Sequence, residues 1–323
     1  MFDIITFGSA TWDTFLRIKE EDFKIFQKEK KNYLSLLLGE KIYLEEILTE
    51  SGGGGTNAAF TFANQGLKVA FCGKVGNDYF GEKVIQELKG NGIFTNFIKR
   101  DKTFPTNQSF ILTIGSERTI LMKEGASSFW REGDFSLSAL KAKWYYLAPL
   151  HKRASLLTKK IILNALKKDI KIAINPSKDQ ILMKKFKALI KNIDVLILNL
   201  EEAKLLVNLS NEKQIIQELK KLGPKFILVT KGKEGAILIK DKFLYQVGTL
   251  NVKVVEKTGA GDAFASGFVA GLFQKNDVEY ALQLATINAS NCIQKIGAKQ
   301  GLILKDEVKN WPKVNLSVQE VSS

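Results

Sequence analysis

The chain has one histidine, two cysteines and five prolines in 323 residues. A single histidine, His151, rules out multi-histidine metal sites. It leaves Ser-His-Asp or Cys-His catalysis dependent on that one residue. Cys72 and Cys292 lie far apart and suggest neither a disulfide framework nor a zinc cluster. No run is long and apolar enough to span a bilayer. The start, Met1-Phe2-Asp3-Ile4-Ile5, reads as a strand and lacks the basic region and cleavage site of a signal peptide. A cytoplasmic protein with no membrane partner is therefore expected. Internal repeats, low-complexity tracts and Pro-rich linkers are also missing.

Hydrophobic residues make up 45% of the chain and charged residues 25%, an ordinary globular balance that allows a sizeable core. The net charge is +14. A basic excess can serve nucleic acid, anionic lipid or small anions. Here the lysines are spread along helical stretches, as in Lys159-Lys160, Lys167-Lys168 and Lys220-Lys221. Solvated helix faces explain them, and no nucleic-acid partner is expected.

Short apolar runs at residues 3–8, 68–73, 144–149, 171–176, 195–199 and 226–230 read as buried strands. Helical patterns lie between them, at 154–168, 201–208 and 213–222. This alternation predicts an α/β fold with a mostly parallel sheet and helices on both faces. Two regions break the rhythm, at 12–51 and 99–123. The second holds alternating runs at 108–114 and 118–123, joined by the hairpin-like turn Gly115-Ser116-Glu117. Together they read as one small β lid inserted into a single domain spanning 1–310, with 311–323 as a tail.

Four segments carry candidate chemistry. Thr258-Gly259-Ala260-Gly261-Asp262 follows an extended run at 251–255 and opens a small-residue helix. Glycines at a helix start let backbone N–H groups face an anion, and the helix dipole adds positive potential. An Asp in that turn could take a proton from an attacking hydroxyl, or could simply be an N-cap. Ser51-Gly52-Gly53-Gly54-Gly55-Thr56-Asn57 also precedes a helix. Asn57 can both donate to and accept from sugar hydroxyls; a flexible capped loop is the plainer alternative. Asn199 and Glu202 stand just past a strand end, spaced either to organise Mg²⁺ waters or to form a capping box. Thr230-Lys231-Gly232-Lys233-Glu234-Gly235 could touch a nucleotide, or be a tight hairpin.

Taken in order, these segments resemble the ribokinase, or PfkB-type, family of carbohydrate kinases, which includes fructokinases and adenosine kinases. Gly73-Lys74-Val75-Gly76-Asn77-Asp78 with Phe80-Gly81, Arg118-Thr119-Ile120, Asn175-Pro176 and Gly297-Ala298 fall where that family has counterparts. The resemblance implies a ribokinase-like three-layer α/β/α core with a β lid, and ATP with Mg²⁺ as cofactors. It implies Asp262 as catalytic base and Gly259, Ala260 and Gly261 as the anion hole. Asp13, Gly53, Gly54 and Asn57 would bind a small-molecule substrate. Asn199, Thr230, Gly232 and Gly235 would bind nucleotide, with Glu202 reaching Mg²⁺ through water. Lid strands of this family often pair between subunits, which allows a homodimer.

Glu256 and Lys257 stand where the family commonly has Asp-Thr, a position that in ribokinases helps form a monovalent-cation site. Lys257 is expected to make the protein indifferent to K⁺. The acidic sugar contact of ribokinases near Leu147-Ala148-Pro149 is missing, and Trp12 and the segment 19–50 are unusual. A sugar kinase acting on a hydroxymethyl group is the leading expectation. A nucleoside kinase is the alternative, and a non-catalytic nucleotide or sugar sensor is a third reading.

Overall fold

A computed structural model describes residues 1–115 and 117–320. The chain opens with β1 (Phe2–Phe7), then leaves the core for β2 (Thr11–Ile18), β3 (Lys24–Lys28), β4 (Lys31–Ser35) and β5 (Leu44–Gly52). It returns through α1 (Gly54–Asn64), β6 (Val69–Gly76), α2 (Tyr79–Gly90) and β7 (Ile98–Asp101). A second excursion makes β8 (Asn107–Ile114) and β9 (Glu117–Lys123). Strands and helices then alternate through β10 (Ala142–Leu147), α3 (Lys152–Ser155), α4 (Thr158–Lys167), β11 (Lys171–Ile174), α5 (Lys178–Ile181) and α6 (Phe186–Ile190). They continue through β12 (Val195–Asn199), α7 (Leu200–Val207), α8 (Glu212–Lys220) and β13 (Phe226–Thr230). The last elements are β14 (Ala236–Lys240), β15 (Phe243–Val247), α9 (Ala260–Lys275), α10 (Val278–Cys292) and β16 (Leu316–Glu320).

The central sheet has ten strands in the order β16-β15-β14-β13-β12-β11-β10-β1-β6-β7, parallel from β13 to β7 and antiparallel from β13 to β16. Alternation along each strand splits the core in two. Ile4 and Tyr146 pack with Phe62, Phe268 and Leu282 under α1, α9 and α10. Ile5 and Tyr145 pack with Ile161, Leu206 and Leu219 under α4, α7 and α8 on the other face. Both faces are thus covered, as a parallel sheet requires.

The lid is a separate sheet in the order β5-β2-β8-β9, with β3 and β4 as an outlying hairpin. Gly76 and Asp78, in the segment matched to the family's N-terminal signature, fix the entry to β8. The Asp78 side chain caps α2 by accepting from Gly81 N at 2.8 Å, and also accepts from Thr106 N at 2.8 Å.

Several expectations need correction. The segment 311–323 is not a free tail, because β16 pairs with β15 and covers what would otherwise be an open sheet edge; residues 321–323 lie outside the described residues. The helix expected at 154–168 is broken at Leu156-Leu157 into α3 and α4. There Ser155 Oγ bonds back to Lys152 O at 2.6 Å, an alternative to helix continuation. Residues 251–255 form no strand; Val255 N is taken by Ile293 O at 2.8 Å instead of a sheet neighbour. The first residues of the second lid region, up to Asp101, belong to β7 of the central sheet. The turn at Ser116 lies outside the described residues, though β8 and β9 pair on either side of it.

Candidate active site

The connection from β1 goes one way to β6 and β7, while β10 to β13 build the other way. The sheet therefore has its switch point at β1, and the crevice beyond the carboxyl ends of β1 and β10 is where such folds receive ligands. Three chain segments crowd there. A Cβ on Gly8 would stand 2.6 Å from Gly55 Cα and 2.8 Å from Ala148 Cβ, so only glycine lets α1 start this close to the strand.

Gly53 is the N-cap of α1, with φ 93° and no capping side chain. Thr56 Oγ1 donates back to the carbonyls of Gly52 and Gly53, at 2.7 and 3.0 Å, which fixes the turn. Asn57, one helical position further, donates from Nδ2 to Asp262 Oδ2 at 2.9 Å. Its own Oδ1 is buried without a protein partner, leaving an acceptor for a ligand hydroxyl.

Asp262 sits in the first turn of α9, whose N-cap is Gly259 with φ 78° and again no capping side chain. Glu256 shapes that turn, its Oε1 accepting from Thr258 N at 2.8 Å and Thr258 Oγ1 at 2.6 Å. Asp13 comes from β2 of the lid sheet and accepts from Thr11 Oγ1 at 2.6 Å.

The glycine turn divides two cavities. The first, of about 400 Å³, is lined by Asp13, Gly53, Gly54, Asn57, Gly259 and Asp262. The second, of about 510 Å³, is lined by Thr230, Gly232, Gly235, Ala260, Gly261 and Phe264. Eleven of the thirteen residues singled out in the sequence thus gather on these two cavities. The other two, Asn199 and Glu202, line neither. They form a reciprocal capping box on α7, each backbone N–H bonded at 2.8 Å to the other's side chain. Residues 230–235 likewise turn tightly between β13 and β14, the hairpin alternative, while Thr230, Gly232, Lys233 and Gly235 line the second cavity.

Burial pushes the carboxyls of Asp262 and Asp13 above the ordinary range. For Asp262 the Asn57 bond and the charge of Lys299 oppose burial, and the charge of Asp13 adds to it. Burial also raises Glu202, which feels the charge of Asp262. Lys257 lines the second cavity and pairs with Glu117 at the lid tip. Arg118 Nε instead stands 3.7 Å from Glu256 Oε1. Trp12 lines neither cavity and packs against Phe80, ring centroids 6.3 Å apart.

Other parts of the site escaped the sequence reading. Ser109, Asn107 and Ser127 add polar lining to the first cavity, and Ile111, Ile120 and Met122 from the lid form an apolar outer wall. Alternation along β8 and β9 carried that signal, since alternate residues of a lid strand face one side. Lys299 had no sequence signal beyond following Gly297-Ala298.

Comparison with known proteins places this architecture. The structure of Arabidopsis thaliana ribokinase with ribose and ATP aligns with a TM-score of 0.74 at 23% identity, over 96% of this chain and 98% of that one. The adenosine kinase of Sinorhizobium meliloti aligns with a TM-score of 0.78 at 20% identity, over 96% of this chain and 99% of that one. The fold is thus the ribokinase-like fold of small-molecule kinases. More particularly, the chain belongs to the pfkB family of carbohydrate kinases, whose family model matches residues 24–304. The ribokinase of Lactococcus lactis is 30% identical over 275 residues, covering 84% of this chain and 88% of that protein. The family makes this chain a carbohydrate kinase. Among the described residues, no helix is long and apolar enough to cross a membrane.

The buried carboxyl of Asp262 has a consequence for stability. Its raised value means the folded state binds that proton more tightly than the unfolded one. Stability is therefore lost as pH rises from the unfolded value through the folded one. Asp262→Asn keeps an acceptor for Asn57 and removes the charge. Its melting temperature should exceed that of the parent protein at neutral pH, with the gain vanishing at about pH 4 and below. Thermal unfolding at both pH values checks this; equal melting at neutral pH would contradict it.

Proposed function

We propose that this protein transfers the γ-phosphoryl group of ATP to a hydroxymethyl group of a sugar, with Asp262 as the general base. The observation that carries the reading is the place of Asp262: on the wall of the first cavity with Gly259, directly after Ala260 and Gly261, which line the second. The sugar sits in the first cavity, its hydroxyls on Asp13, Asn57 and the backbone of Gly53 and Gly54. ATP sits in the second, along Thr230, Gly232 and Gly235.

The acceptor hydroxyl gives its proton to Asp262 while its oxygen bonds to the γ-phosphorus. The bond from that phosphorus to the bridging oxygen breaks, and ADP leaves. Such a transfer needs in-line positioning and neutralised charge more than covalent help. Backbone amides of Gly259, Ala260 and Gly261, at the positive end of α9, receive the phosphoryl oxygens. Among the described residues no three His, Cys, Asp or Glu side chains gather into a metal cluster. That suits Mg²⁺, which keeps its waters and is bound chiefly by substrate phosphates with one or two carboxylates; Glu202 is the carboxylate that would hold such a water. When bound, Mg²⁺ neutralises phosphate charge. The lid strands β8 and β9 close the sugar cavity and limit loss of ATP to water.

The nucleoside alternative has an observation of its own. The apolar outer wall of Ile111, Ile120 and Met122, with Pro149 and Leu150, could hold a flat base beyond the sugar. ADP release with Mg-ATP over a panel of free sugars and nucleosides decides between them. Asp262→Asn should lower kcat by roughly 10²–10⁴ with the active acceptor. Retained turnover in that variant would remove Asp262 from the mechanism.

Indifference to K⁺ belongs to the same reading, now resting on a different residue. Arg118, not Lys257, brings its charge to Glu256, where a monovalent cation would otherwise be drawn. Rates in K⁺ and in tetramethylammonium at equal ionic strength should agree; strong activation by K⁺ would refute this. A homodimer through the lid also fits. Ile47, Phe110 and Leu121 share one face of the lid sheet and are 60%, 39% and 55% exposed. Sedimentation equilibrium should give a dimer that Phe110→Glu dissociates; a monomeric parent protein would exclude it.

A further inference from the structure

The loop after α10 buries a lysine beside the carboxylate of Glu87 and the end of β5. Lys299 is buried and lines neither cavity. Its Nζ donates to Ser51 Oγ at 2.8 Å, lies 3.9 Å from Glu87 Oε1, and stands 4.7 Å from the ring centroid of Phe60. Glu87 Oε2 accepts from Ser51 N at 2.7 Å. One residue earlier on the strand, Glu50 Oε1 accepts from Ala298 N at 2.6 Å, and Glu50 Oε2 from Gln300 Nε2 at 3.3 Å. The loop thus grips two successive residues of β5, and these pair across the lid sheet with Trp12 and Asp13. The next residues are the glycine turn that opens α1 and presents Asn57 to Asp262.

A buried ammonium is costly unless its charge is answered. Here nothing in the proposed transfer uses it directly. We propose that Lys299 is a positioning residue, which through Ser51 and Glu87 holds the β5 end in register, and whose fixed positive charge acts on both cavity carboxylates, Asp13 and Asp262.

The charges around it come from every packed element: Asp13 on β2, Glu50 on β5, Glu87 on α2 and Asp262 on α9. Burial depresses the lysine, and Glu87, Glu50, Asp13 and Asp262 pull it back, in that order. Reciprocally, its charge opposes the burial that raises Asp13 and Asp262. A proton acceptor must be ionised to act, so the charge of Lys299 keeps Asp262 competent at lower pH than burial alone would allow.

This inference rests on the proposed kinase reading for its rate consequence, but not for its electrostatic one. The experiment therefore has two readouts. Carbon-13 NMR of the Asp side-chain carboxyls follows their titration without substrate, with Asp13→Asn and Asp262→Asn giving the assignments. In Lys299→Gln, which keeps a donor for Ser51 but loses the charge, both carboxyls should titrate at higher pH. In Lys299→Arg they should titrate as in the parent protein. With an acceptor that turns over, the acid limb of log kcat should move to higher pH in Lys299→Gln. The rate relative to the parent protein then falls roughly tenfold at the foot of the limb for each unit of displacement. Lys299→Met, lacking the donor as well, should show the same displacement plus a raised KM.

Unmoved titrations in folded Lys299→Gln overturn the proposal, as does a uniform loss of kcat at every pH. Moved titrations without turnover by the parent protein on any acceptor support the electrostatic role and count against the kinase reading instead.

Discussion

Two helices bring their N-termini to one point with no side chain capping either, and the site depends on that meeting. The first residues of α1 and α9 follow glycines in left-handed or similar conformations. The backbone N–H groups that a Ser or Asp would otherwise satisfy are left for a ligand. The Asn57–Asp262 hydrogen bond joins the two starts. The close approach of Gly8 to Gly55 fixes where α1 can begin, and the approach of Gly259 to Ala298, where a Cβ would come within 2.6 Å of Ala298 Cβ, does the same for α9. The helix dipoles then add at one place, which suits negative charge.

The lid is joined to this arrangement from behind as well as from above. Asp13 belongs to lid strand β2, lid strand β5 runs into the glycine turn that opens α1, and the 297–300 loop binds β5 next to the turn of α9. One loop therefore touches the elements that shape both cavities. The ion pairs of Glu117 with Lys257 and Arg118 with Glu256 add a second tie, from the lid tip to the segment that leads into α9. The electrostatic cost is plain: one buried lysine feels the charge of four carboxylates, and Asp13, Asp262 and Glu50 are all raised by burial. Such an arrangement costs stability and leaves carboxyls of perturbed titration on a cavity wall, the pattern common at functional sites.

The sequence carried the architecture because its strands are short apolar runs with turns between them, a pattern that needs no distant partner to be read. Strands β12 and β13 fall where that pattern put them. The pattern failed where a distant residue decides the outcome. Residues 316–320 become a strand only because β15 offers an edge. The extended run at 251–255 joins no sheet, and Ile293 O takes the N–H at its end, that of Val255. Asn199 and Glu202 show how a spacing can be read correctly while its use stays open, since a capping box and a metal-water site ask for the same two residues three apart.

By itself, then, the sequence determined the layered fold, the glycine-rich helix starts and the residues that line the two cavities, because local periodicity and turn chemistry specify these. Only the tertiary structure decided which face of each lid strand looks inward, that Lys257 pairs with Glu117 while Arg118 approaches Glu256, and that Lys299 is buried against Ser51 and Glu87. Each of these is a contact between segments remote along the chain, and no local rule of propensity or spacing encodes it.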